Sequence, residues 1–161
     1  RAPVSRPAPT APAAAPQRPQ AMFKDLSLYF SEEGGMYLKT EKRRIKTADT
    51  ETEAKEVLRE LLGGPHDPRL ASAIPEGTRL KRFFIKKTTA YVDLSRAVME
   101  KHQGGSEGEL QTIYSIVNTV TLNFPEIRDV QILIEGATEA TLAGHIDISY
   151  TLAVDRNMIK G

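Results

Sequence analysis

GGSEGELQTIYSIVNTVT, residues 104–121, decides the fold. Two glycines lead into Ser106-Glu107-Gly108-Glu109, which has the spacing of a capping box. In that arrangement the serine side chain accepts from the amide of Glu109, and the Glu109 carboxylate reaches back. Leu110, Ile113, Tyr114, Val117 and Val120 then recur at helical spacing, and Asn123 and Pro125 close the run. Ile116 and Leu122 fall off the main stripe and widen the apolar band. A band that wide marks either a helix buried on every side or one offering Ile116 and Leu122 to a partner.

Outward from this helix, both directions read as sheet. Downstream, Val130, Ile132 and Ile134 alternate as a strand that Gly136 ends, with a further short pairing expected near 138–143. Upstream, 78–85 and 88–94 form a hairpin turning at Lys86-Lys87, in which Ala90, Val92 and Leu94 supply one buried face. Further back lies a second helix. Thr50-Glu51-Thr52-Glu53 reads as its capping box, with Thr50 as cap and Glu53 reaching back. Ala54, Val57, Leu58, Leu61 and Leu62 are its stripe, and Gly63-Gly64-Pro65 stops it, with Gly63 free for a left-handed cap. Before it, Leu26, Leu28 and Phe30 alternate as a strand, Glu33-Gly34-Gly35 turns, and 36–45 is a charged return strand. The expected architecture is α/β (α+β) in the order β-α-β-β-α-β. Two helices pack on one face of a small mixed sheet.

Residues 1–21 hold six of the ten prolines and almost nothing that can be buried. They read as a disordered Pro/Ala-rich linker that spans on the order of 65 Å when extended. Residues 22–161 then form one compact, soluble domain. The linker carries three arginines and no acid, so the domain holds 19 basic against 21 acidic side chains. A protein that takes its affinity from phosphate backbones shows a basic excess, and no nucleic-acid partner is expected. The absence of cysteine excludes disulfides, thiol nucleophiles and thiolate metal sites. The first residue is Arg1 rather than methionine, which places an expected membrane anchor or lipidated residue upstream of it.

Six segments carry a family resemblance: AKEVLRELLGGP (54–65), AIPEGTRL (73–80), TAYVDLS (89–95), GGSEGELQTIYSIVNTVT (104–121), VQILIEG (130–136) and TLAGHIDIS (141–149). In this order they resemble the GerMN domain, the module of the sporulation and germination protein GerM. The resemblance implies an extracytoplasmic domain, membrane-anchored or lipidated at its N-terminus. Its fold would be similar to the ring-building modules that pack side by side in sporulation and secretion machineries. No catalytic residues and no cofactor come with it. The implied partners are other envelope proteins, or copies of the chain itself in weak self-association. GerM has two such domains and this chain one, so a role outside sporulation stays open.

The residues with chemically capable side chains read mostly as structure. Gly104, Gly105 and Ser106 at a helix start suggest a phosphate loop, but no lysine follows and Glu107 and Glu109 would meet the anion. Ser106 as nucleophile needs a histidine base with an orienting carboxylate. His145 and Asp147 alternate on one strand-like face, yet two ligands do not make a zinc site, and hydrogen bonding that fixes the C-terminal segment is expected of them. Lys81, Arg82, Lys86 and Lys87 beside Phe83 and Phe84 form the strongest basic–aromatic cluster, read as a solvated hairpin with Lys86 and Lys87 as interaction candidates. The expected function is a non-enzymatic structural or interaction module. The alternative is a binding module for peptidoglycan, a sugar or an anion.

Overall fold

Alternation in KDLSLYF sends Leu26, Leu28 and Phe30 inward on β1 (Phe23–Glu32), which pairs antiparallel with β2 (Leu38–Lys46). The computed structural model describes residues 3–5, 7 and 22–161, so the linker reading of 1–21 lies almost wholly outside the described residues. After β2 come α1 (Thr50–Leu62), β3 (Leu70–Ala71), β4 (Leu80–Lys86), β5 (Thr89–Leu94) and the short α2 (Ala97–Glu100). α3 (Ser106–Asn123), β6 (Asp129–Ile134), β7 (Leu152–Ala153) and a 3-10 turn at Arg156–Met158 complete the chain.

The α/β class expected from the sequence is the one observed, but the strands are shared between two sheets instead of one. The first has the order β2-β1-β3 and the second β4-β5-β6-β7, with β5 and β6 parallel. A parallel pair needs a crossover, and α2 and α3 supply it. α3 lies between the sheets, touching β1 of the first and β6 and β7 of the second, while α1 packs against it and against β1, β2 and β4. Leu28, Phe30, Val57, Leu58, Val92, Ile116, Val120 and Ile132 meet in one core. Ile116 is therefore core, only 1% exposed, and the wide apolar band marks an all-round buried helix rather than a partner surface. Leu122 is half-buried. No helix among the described residues is long and apolar enough to cross a membrane.

The helix starts differ from the capping-box reading. α1 is capped by Asp49, whose side chain accepts from the Thr52 amide at 3.2 Å, while the Thr50 hydroxyl bonds Glu126. Glu53 is buried. It accepts from the Ala48 amide at 3.1 Å and pairs with Lys24 at 2.6 Å. Gly63 ends α1 in right-handed geometry (φ −73°), and the left-handed residue is its neighbour Gly64 at +90°. At α3 the cap is Gly105 with no side-chain bond, so Ser106 caps nothing. Gly104 and Gly105 both stand at φ +85° and open space surrounds both. Gly105→Ala therefore adds strain without a clash. A loss of roughly 1–3 kcal/mol in denaturant unfolding is expected, and a neutral variant would contradict the assigned backbone.

Candidate functional site

The N-terminal half of α3 gathers Ser106, Glu109 and His145 of the residues singled out in the sequence. A loop ending in two left-handed glycines brings His102 back over the first turn. The Gly104 amide donates to His102 Nδ1 at 3.0 Å, so the ring proton sits on Nε2, 2.9 Å from Thr112 Oγ1. Thr112 is buried and within hydrogen-bonding reach of the carbonyls of Ala73 (2.6 Å) and Gly108 (2.9 Å). These groups line a cleft of about 620 Å³ with Ser31, Ser72, Lys101 and Gln111. Its inner wall is already satisfied: Ser31 donates to the Ala71 carbonyl and Ser72 to that of Ile74. His102 engages Thr112 rather than Ser106, and no triad forms there.

Glu109 does not cap its own helix. It has no exposed surface, and its carboxylate reaches the segment after β6, accepting from the amides of Ala143 (2.6 Å) and His145 (2.8 Å). His145 Nδ1 lies 3.0 Å from the same carboxylate. Burial pushes the Glu109 carboxyl up, but the amides of Ala143, His145 and Ile146 and the His145 ring outweigh that and hold it below its ordinary value. Residues 145–147 form no strand. The expected His145–Asp147 pair does not converge, because Asp147 accepts instead from the Ser149 amide and hydroxyl at 2.8 and 2.5 Å. Those two bonds lower the Asp147 pKa, the hydroxyl's more than the amide's. Among the described residues no group of three or more His, Asp and Glu side chains could hold a metal.

The feature least visible in sequence runs along α3. Gln111, Ser115, Thr119 and Asn123 recur every fourth residue and all turn toward β1 and its turn. Gln111 Nε2 donates to Gly35 O at 2.7 Å and Ser115 Oγ to Tyr29 O at 2.6 Å. Thr119 Oγ1 accepts from the Tyr29 amide, and Asn123 both accepts from Ser27 N and donates to Ser27 O. On another face of the helix, buried Asn118 clamps the Asp155 amide and carbonyl at 3.0 and 2.9 Å. Lys86 and Lys87 are exposed at the β4–β5 turn, where Lys87 holds φ +55°.

The family model for Germane, described as sporulation and spore germination, matches residues 27–140. Among solved structures, a candidate lipoprotein from Clostridium perfringens is similar at 27% identity and TM-score 0.61, covering 86% of this chain and 93% of that one. The first GerMN domain of the Bacillus subtilis sporulation protein GerM is 26% identical at TM-score 0.62, over 81% of this chain and 97% of that domain. The tandem GerMN domains of the same protein match at 20% identity and TM-score 0.63, over 82% of this chain and 46% of that one, a likeness of fold. No curated protein matches the chain. With the family model spanning most of the chain, the resemblance read in six short segments is shown: the chain belongs to the Germane (GerMN-type) family.

Proposed function

We propose that this domain is a non-enzymatic structural and protein-interaction module of the bacterial cell envelope, held to a membrane by an anchor or lipid and acting in assembly of an envelope complex. The family's description in sporulation and spore germination and the candidate lipoprotein among the relatives support the compartment. One observation carries the interaction reading. His102 and Thr112 in the cleft, and Glu109, Ser115, Thr119 and Asn123 along α3, are all engaged by the chain's own backbone or side chains. Groups so engaged serve the fold itself, and the interaction reading gives the work to the exposed faces. In this reading the partners are other envelope proteins or, weakly, further copies of the chain.

Crosslinking in cells with a photoreactive side chain at exposed positions tests the reading, and adducts with envelope proteins are expected. Concentration-dependent light scattering is expected to show a monomer or weak self-association. A tight closed dimer at micromolar concentration, or cell-wall fragments bound in the cleft beside His102, would overturn it.

A further inference from the structure

Open strand edges decide what a sheet can pair with, and this fold closes most of its own. The α3 polar row fills the inner edge of β1. The Lys160 amide bonds Leu38 O at 2.9 Å, covering the start of β2, and β3 and β7 are two residues each. Two long edges remain among the described residues: β2 beyond Leu38, and β4. α1 flanks both and shows each a different charge. Toward β2 it presents Thr52, Glu56 and Glu60, opposite Arg44 and Lys46, so acid faces base. Toward β4 it presents Lys55 and Arg59, opposite Lys81 and Arg82. This second groove continues past Leu62 to Arg79, with pockets of about 180 and 350 Å³ sharing Arg59 and Leu80. Both of its walls are basic.

Three of these cations have surface carboxylates nearby: Lys55 with Glu51 at 3.2 Å, Arg59 with Glu56 at 3.9 Å and Lys81 with Glu135 at 2.9 Å. Such pairs are weak and exchangeable. Arg79 and Arg82 are exposed and meet no carboxylate among the described residues. Arg82 lies 5.1 Å over the Phe84 ring, which stacks on Tyr91 at 4.7 Å.

We infer that the groove between α1 and the open edge of β4 docks an extended acidic segment of a partner protein, added as a strand to β4 with carboxylates against Arg79 and Arg82. The inference rests on the interaction-module reading and names its surface. An extended peptide fits better than a nucleic acid or lipid because its backbone repeats amides and carbonyls at the spacing of the unpaired edge of β4. A second β4 would set like charges opposite one another, so the edge selects against its own copy.

The test titrates the full chain with a short peptide of alternating Glu and Val. Its controls are the Lys/Val counterpart and the acidic peptide with alternate amides N-methylated. Backbone NMR is expected to place the shifts and slowed amide exchange on Leu80–Lys86. Affinity should exceed that of both controls on the order of tenfold and fall by a similar factor in Arg79→Glu/Arg82→Glu. Lys42→Glu/Lys46→Glu, on β2, is expected to leave binding unchanged. No binding, shifts confined to β2, equal affinity for the N-methylated peptide, or displacement by a DNA duplex or phosphatidylglycerol vesicles would overturn the inference. A wild-type chain that binds the acidic peptide at β4 yet crosslinks to no envelope protein in cells would sink the interaction reading and leave the groove standing. Crosslinking that survives Arg79→Glu/Arg82→Glu undiminished sinks the groove alone.

Discussion

Replacing Ser115 by alanine and Thr119 by valine together is expected to lower the unfolding free energy by roughly 2–5 kcal/mol. Both substitutions nearly conserve shape, so the loss comes from hydrogen bonds and not from a cavity. Ser115 and Thr119 have no exposed surface and Tyr29 is 7% exposed, so water cannot replace the missing partners. The Tyr29 carbonyl loses its donor at 2.6 Å and the Tyr29 amide its acceptor at 3.3 Å. Each stranded buried group costs about 1–3 kcal/mol, and because both belong to one residue the two effects couple. Urea unfolding of the single and double variants measures this. A double variant within about 1 kcal/mol of wild type would show that the edge of β1 has another partner.

The same row explains why α3 can be polar at the centre of the molecule. A strand beside β1 would satisfy its inner edge with backbone groups, but β3 reaches only Ser31 and Glu32. Gln111, Ser115, Thr119 and Asn123 stand in for the missing strand, at the four-residue spacing that keeps side chains on one helix face. With β1 sealed in this way, docking by strand addition passes to β2 and β4, and the charges on α1 separate those two.

Much of this architecture was legible because it is local. The alternation of Ala90, Val92 and Leu94 and of Val130, Ile132 and Ile134 predicts the strands observed, and the stripe from Ala54 to Leu61 predicts α1. What stayed hidden depends on partners distant in sequence. Asp49 and Thr50 are both good caps, and nothing local decides between them; the cap fell one residue earlier than read, at Asp49, while Thr50 bonds Glu126, 76 residues away. Glu109 sits at capping-box spacing, so the pattern fits, but its carboxylate has better donors in a loop 34 residues on. Ile116 and Leu122 suggested two meanings for one wide band, and only the second sheet chooses between them. The polar row had a signal, Gln, Ser, Thr and Asn at every fourth position of an apolar helix, although spacing alone does not say which backbone it meets. The basic groove was visible only as separate charges, since sequence does not place α1 beside β4.

Glu109→Ala is expected to cost on the order of 3–5 kcal/mol, the larger of the single-site effects. It leaves the amides of Ala143 and His145 without their charged acceptor, opens a void where the buried Glu109 side chain stood in the first turn of α3 and frees the segment after β6. Amide exchange at 143–146 should accelerate more than elsewhere. The pH dependence follows from the sign of the shift. The folded carboxyl is held below its ordinary value of 4.5, so the ionised form binds the fold more tightly than the protonated form does. Its contribution is fully present above about pH 4.5 and is lost as pH falls through the lowered folded value. Glu41, whose burial is outweighed by hydrogen bonds from Arg43, Asp67 and His66, acts in the same direction, so acid weakens the wild type at more than one point. Glu109→Gln isolates the contribution. It keeps the shape, is less stable at neutral pH because an amide group now faces backbone donors, and should show a shallower loss of stability below pH 4.5 than wild type. Equal acid slopes in the two proteins would mean that Glu109 is not the ionised anchor of that segment.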